Sequence, residues 1–263
     1  MDQGPSLSYQ VSTFYALADL NEDSMAEILE SLQSWEPGEP PLNGMVLVAP
    51  DGVNATLAGS AQTLAAIEAW LAGRLQLSTI KRSLSPIAPF RRWKVVRRRE
   101  TVTSGKVGGS SGSARHLSPA EWHTMLQRPD VHLIDVRNDY EVRLGTFRGA
   151  LDPKTRTFSQ FADYVAGLDI PKDQPIMTFC TGGIRCEKAA PYLQAQGFSQ
   201  VYQLDGGILH YLEHYPDGYF QGECFVFDDR VALTQELQPS QRYRRCPECG
   251  QPGGEPCPDC GRE

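Results

Sequence analysis

The chain has no uncharged apolar run approaching the length of a membrane span, and its polar N-terminal segment lacks the hydrophobic stretch of a secretory leader. The expected compartment is therefore the cytosol, with no membrane partner. Positive charge is in short supply. With 25 Lys and Arg against 32 Asp and Glu, the net charge of −7 speaks against a surface that is basic throughout and leaves a local patch as the route to nucleic acid. No nicotinamide or flavin fingerprint is present, and the five histidines do not make an iron-binding facial triad. A cytosolic setting disfavours a disulfide framework, so the seven cysteines point to thiol chemistry and metal ligation. At 263 residues and 40% hydrophobic content, there is material for two modest domains and a tail.

The most informative stretch is Cys180-Thr181-Gly182-Gly183-Ile184-Arg185-Cys186, directly after the apolar run 175–179. It reads as strand, tight loop and helix, with a thiol at the loop entrance. The two glycines let the backbone curl until several N–H groups converge, and the helix expected over 187–196, closed by Gly197, adds the positive end of its dipole. Such a site lowers a thiol's pKa and holds an anion beside it. Four residues separate Cys180 from Arg185, one fewer than the phosphatase loop that cradles a tetrahedral phosphate. This shorter loop resembles that of rhodanese domains, which suits the larger sulfur of a persulfide or another thiol adduct. Leu133-Ile134-Asp135-Val136-Arg137, Gly145-Thr146-Phe147-Arg148-Gly149-Ala150 and Leu204-Asp205-Gly206-Gly207-Ile208 agree with that resemblance.

Order along the chain gives the fold class, α/β. The first hundred residues read as strand (9–17), helix (24–35), strands (44–49 and 55–57), helix (61–71) and strand (77–83), the split βαβ pattern of a ferredoxin-like α+β domain. Pro50-Asp51-Gly52 supplies a turn and Ser60 an N-cap. The expected domains are 1–103, a Gly/Ser-rich link over 104–116, a rhodanese-like α/β/α parallel-sheet domain over 117–222 opened by a capping box at Ser118, and an extension over 223–263. A basic segment leads outward from the first domain. Its Arg91, Arg92, Lys94, Arg97, Arg98 and Arg99, with Lys81, Arg82 and Lys106, face only Glu100 in opposition. It is either a phosphate-contacting patch or a solvated strand face.

The tail carries two Cys-x2-Cys knuckles, Cys246/Cys249 and Cys257/Cys260. Four thiolates closing on one structural zinc is the natural reading of so short a segment without a core; iron in the same cage or a redox-labile dithiol pair are the alternatives. His210 and His214 stand one helical turn apart with no third ligand evident, and read as a partly exposed helix face. Cys224 reads as a packing cysteine, and Asp135 with Arg137 as polar support beneath the loop.

Taken together, Phe179 to Lys188, Asp135 to Arg143 continuing through Gly149 to Lys154, Asp51-Gly52-Val53-Asn54-Ala55-Thr56 and Pro89-Phe90-Arg91-Arg92-Trp93-Lys94 closely resemble the bacterial tRNA uridine(34) hydroxylase family over nearly the whole chain. The resemblance implies oxygen-dependent 5-hydroxylation of the wobble uridine in a subset of tRNAs, with molecular oxygen as co-substrate and the tRNA anticodon stem-loop as partner. The family's essential cysteine corresponds to Cys180. Arg185 with the backbone of Thr181, Gly182, Gly183 and Ile184 would form its anion cradle. Cys186 either resolves an oxidised or persulfidated Cys180 or packs beneath the helix. From loop spacing and composition alone, the alternative is a sulfurtransferase carrying a persulfide on Cys180.

Overall fold

The computed structural model describes residues 8–108, 114–254 and 257–261. The chain folds into two compact units, one running to Val102 and taking in Asp228–Arg230, the other comprising Thr103–Phe227 and the chain from Val231 onward.

In the first unit the elements are β1 (Tyr9–Leu17), α1 (Glu22–Gln33), β2 (Asn43–Ala49), β3 (Gly52–Gly59), α2 (Ala61–Ala72), β4 (Lys81–Ser85) and β5 (Trp93–Arg97). The sheet order β4-β1-β3-β2-β5 is the ferredoxin-like arrangement with one strand added. Met25, Ile28 and Leu32 on α1, and Leu64, Ile67 and Leu71 on α2, recur at helical spacing and bury one stripe of each helix in the core with Phe14, Val46, Val48 and Leu57. α1 begins two residues earlier than expected, because Asn21 caps it, its side chain accepting from the Ser24 N–H; Ser60 caps α2 through the Thr63 N–H.

The basic segment corrects the sequence reading, because it does not lead away from this unit. β5 is the fifth strand of the sheet, parallel to β2 from Gly44↔Trp93 to Val48↔Arg97. Two apolar residues hold it there: Val95 is buried, and the Trp93 indole packs on the core and donates to the Leu32 carbonyl at 2.7 Å. They are two residues apart, so both face the helices, while Lys94 between them faces the other side. Arg91, Arg92, Arg98 and Arg99 are exposed and Lys94 is half-buried. The remaining charges are committed elsewhere. Arg97 pairs with Glu22 at 2.6 Å, Arg82 forks onto Glu68, and Lys81 is buried over the Tyr15 ring.

The second unit runs β6 (Arg115–Leu117), α3 (Pro119–Met125), β7 (His132–Asp135), α4 (Asp139–Val142), β8 (Gly145–Phe147), α5 (Phe161–Ala166), β9 (Pro175–Phe179), α6 (Cys186–Ala195), β10 (Gln200–Leu204), α7 (Gly207–His214), β11 (Phe220–Gly222), β12 (Cys224–Phe225), β13 (Ala232–Leu233), β14 (Arg244–Arg245) and β15 (Pro252–Gly253). Its sheet, in the order β6-β10-β9-β7, is parallel throughout. Every residue of the central strand β9 is buried, as a strand covered on both faces requires. On one face Trp122 and the α7 residues Ile208, Tyr211 and Leu212 pack with Phe147 and Phe179.

The segment read as a link is partly structured. Residues 109–113 lie outside the described residues, but Gly105–Val107 form a 3₁₀ turn, Val107 and Ala114 are buried, and Arg115–Leu117 join the sheet edge. Scattered apolar residues anchor a stretch whose glycine and serine content suggested coil. Ser118 does open α3 with a reciprocal capping box to Glu121. Among the described residues, no helix is long and apolar enough to cross a membrane.

Candidate active site

Cys180 stands immediately after β9, at the C-terminal edge of the parallel sheet where α/β folds open their crevices. The loop from Thr181 to Arg185 curls around the thiol. Its Gly183 N–H donates to Cys180 Sγ at 3.1 Å, and the Arg185 N–H also reaches the sulfur. Gly183 takes a φ of 103°, which only glycine adopts without strain. Two helices clamp the loop. Starting at Cys186, α6 points its N-terminus into it, and α7 holds its carbonyls, with the Ile208 and Leu209 N–H groups donating to Cys180 and Thr181 at 2.9 and 3.1 Å. Gly207 makes that contact possible. A Cβ there would sit 2.5 Å from the Cys180 carbonyl and 2.8 Å from the Gly183 nitrogen.

Cys180 is 1% exposed, and burial alone would push its pKa up. The Cys186 thiol hydrogen-bonded to it, the nearby Arg185 guanidinium and the two backbone donors outweigh burial and leave Cys180 ionised near neutrality. Cys186 is the protonated member of the pair. Burial, then the neighbouring Cys180 sulfur, hold its pKa well above the ordinary thiol value. Cys224, also buried beside this site, is pushed up to about 12 by burial, with Arg137 only partly opposing, and so stays a neutral thiol.

The sequence reading missed the partner of Arg185. Glu141 on α4 is completely buried, and both of its carboxylate oxygens accept from the Arg185 guanidinium, at 2.6 and 2.7 Å. It also accepts from the Asn138 N–H and the Thr181 hydroxyl, and although burial opposes ionisation, Arg185 holds its pKa below the ordinary carboxylate value. Arg185 thus acts on Cys180 through its field and its backbone N–H while its fork is committed to Glu141. An acidic residue in the first turn of a short helix reads from sequence as a cap. Nothing local marks it as an ion-pair partner 44 residues away. A second buried pair lies beneath. Arg137 forks onto Asp135 and donates to the Gly145 carbonyl, tying β7 to β8.

The tail cysteines meet one another. The four sulfurs of Cys246, Cys249, Cys257 and Cys260 lie within 4.8 Å, with Cys246–Cys260 at 3.7 Å and Cys249–Cys257 at 3.6 Å. A tetrahedron with Zn–S bonds of about 2.3 Å has edges of about 3.8 Å, so the cage has the right size for such a metal. Each knuckle closes on a left-handed glycine, Gly250 and Gly261, whose N–H returns to the carbonyl of Cys246 or Cys257. Asp259, between Cys257 and Cys260, pairs with Arg143, fastening the knuckle to the end of α4. On α7, the third donor beside His210 and His214 is Glu213. That group lies outside the thiol loop, with His210 Nδ1 engaged by Asp205 and His214 Nδ1 by the His210 carbonyl.

Two family models match the chain: a UPF0176 acylphosphatase-like domain over residues 9–101 and a rhodanese-like domain over residues 118–214. A tRNA uridine(34) hydroxylase of Bdellovibrio bacteriovorus is 42% identical over 94% of this chain and 71% of its own length. The protein of that name from Synechocystis is 42% identical over 97% of both chains, and that from Picosynechococcus 46% identical over 81% of this chain and 74% of its own. At this identity over this coverage, and with a ferredoxin-like unit followed along the chain by a parallel-sheet unit that carries the cysteine loop, the chain belongs to the tRNA uridine(34) hydroxylase family.

Proposed function

We propose that this chain hydroxylates C5 of uridine 34 in tRNA, with molecular oxygen as co-substrate and Cys180 as the reacting group. The observation that carries the reading is a buried cysteine held as thiolate by backbone donors and an arginine, in a chain whose curated relatives are named for that reaction. A thiolate adding to C6 of uracil forms a C–S bond and moves the C5–C6 electron pair towards C5, which makes that carbon attackable by an oxidant. Once oxygen is on C5, loss of the C5 proton and departure of the thiolate restore the ring. The second atom of dioxygen leaves as water with two electrons from an external reductant. Loop N–H groups and the Arg185 charge hold the thiolate before addition and after departure. The test is mass spectrometry of tRNA nucleosides from cells with and without this chain. Loss of 5-oxygenated uridine supports the reading, whereas loss of thiolated uridine makes Cys180 a persulfide carrier, the chemistry that its loop spacing suits.

The exposed arginines around β5 are the proposed phosphate-contacting surface. Replacing Arg91, Arg92, Arg97 and Arg99 with Gln should weaken tRNA binding and flatten its salt dependence by up to about one slope unit for each phosphate no longer neutralised. The contribution of Arg97 should be smallest, because Glu22 already neutralises it. Binding at physiological salt equal to that of the parent would make this surface a solvated face.

Zinc in the four-cysteine tail is the proposed structural cofactor, held by Cys246, Cys249, Cys257 and Cys260, where it would supply folding free energy to a segment with little core of its own. Changing Cys257 and Cys260 to Ser should release it and loosen the tail, with a smaller effect on Cys180 chemistry. Elemental analysis of wild-type protein purified under reducing conditions should find one zinc per chain; absence of zinc and iron alike would overturn the proposal.

A further inference from the structure

Cys180 is almost inaccessible, so a base that meets its sulfur has to leave the stack of its RNA loop and enter the site alone. The stacking given up is commonly replaced by an aromatic side chain of the protein. Among the described residues the exposed large hydrophobics are Leu17, Leu84, Ile87, Leu151 and Phe227, and Phe227 is the aromatic one, 57% exposed. Its position is not random. It follows β12 in a tight hairpin closed by the Val226 N–H on the Val231 carbonyl. Its ring stands edge-to-face with the buried Phe225 ring at 5.0 Å and 87°, and Phe225 makes the same contact with Tyr140 at 5.3 Å. The Arg185 guanidinium lies 5.6 Å from the Phe227 ring centre, and the Phe225 carbonyl accepts from the hydroxyl of Thr181, the residue after Cys180.

We propose that Phe227 is the stacking platform for the target uracil at the mouth of the Cys180 loop. An exposed phenylalanine taken singly needs no explanation. This one is fixed by the buried Phe225 ring and, behind it, the half-buried Tyr140, is more than half open to solvent, and borders the arginine that polarises the thiol. A flat apolar face in that place binds a pyrimidine without consulting its hydrogen-bonding edge and leaves C5 and C6 free to react. Arg185, its charge already shared with Glu141, lies 5.6 Å from the ring centre and adds a weak cation–π contact that helps to hold it. The proposal rests on an RNA uridine being the substrate.

The experiment uses the full-length chain and two synthetic anticodon stem-loops that differ only at position 34, one with uridine and one abasic. For the uridine loop, Phe227→Ala should raise Kd and KM about ten-fold, with Phe227→Tyr close to wild type and Phe227→Leu intermediate. For the abasic loop, wild type and Phe227→Ala should bind alike, and the rate of Cys180 alkylation by iodoacetamide should not change. Equal losses of affinity for both loops would assign Phe227 to folding or backbone contact and overturn the proposal; so would unchanged affinity for the uridine loop. If wild type makes no hydroxylated uridine in the first loop, the hydroxylase reading fails on its own. The difference between the two binding measurements still decides the stacking role.

Discussion

Cys180→Ser should abolish formation of 5-hydroxyuridine in tRNA while the protein stays folded. Serine is close in shape and can occupy the same backbone cradle, accepting the Gly183 N–H in place of sulfur. Its hydroxyl stays protonated where the thiol ionises, and it is a poor nucleophile without a general base. Nucleoside mass spectrometry of tRNA from a strain carrying only the variant measures the first part, thermal unfolding the second. Full modification by the serine variant would remove this residue from the chemistry. The wild-type thiol has a pH signature of its own. With a folded-state pKa of about 5, the thiolate predominates above that value and is lost as pH falls through it. Alkylation followed by peptide mass spectrometry should therefore hold near its plateau at pH 7 and drop with a midpoint at about 5. A midpoint near the ordinary thiol value of about 8.5 would show that the loop does not activate Cys180.

Glu141→Gln should be strongly destabilising. It removes a negative charge that is wholly buried and leaves the Arg185 guanidinium, itself nearly inaccessible, without its counter-ion. Breaking such a pair from one side costs about 3–5 kcal/mol, because the remaining charge stays desolvated. Denaturant unfolding should show that loss. The pair also has a pH window. Since the folded-state pKa of Glu141 is lowered, its stabilising contribution is complete above the ordinary value of 4.5 and disappears as acid titrates the folded carboxylate below that. Arg185→Lys gives the contrasting result. A point charge on a flexible stem keeps some of the field at Cys180 but loses the two-pronged bond to Glu141, so stability should fall with a modest rise in the thiol's pKa. Glu141→Gln should instead leave the thiol at least as acidic as in wild type, since the Arg185 charge is no longer shared.

The alternation of strands and helices, the capping residues Ser60 and Ser118 and the tight glycine loop after Cys180 were legible in the sequence because each is a local pattern. A period of two or of 3.6, a side-chain oxygen before a helix, and glycines between a thiol and an arginine are set by neighbours along the chain. The two knuckles, too, carry their own spacing. By itself, then, the sequence determined the element order, the place of the Cys180 loop between a strand and a helix, and the paired spacing of the tail cysteines.

Only the tertiary structure decided what those groups meet. Glu141 completes the capping box of α4, which is local, but only folding brought it to Arg185, and Gly207 became indispensable only once α7 was packed against the Cys180 loop. Trp93 and Val95 are two apolar residues in a basic run, and the burial of Val95 with the packing of the half-buried Trp93 on the core is what turns that run into a sheet edge. Phe227 would pass for another core residue of an apolar strand, since the run of buried positions ends one residue before it, at a hairpin whose closure joins residues on either side of the turn. In each case, the deciding interaction joins residues that are not neighbours in sequence. Buried charge must find its counter-charge and apolar surface its cover wherever the fold supplies them, and one-dimensional periodicity carries no record of that pairing.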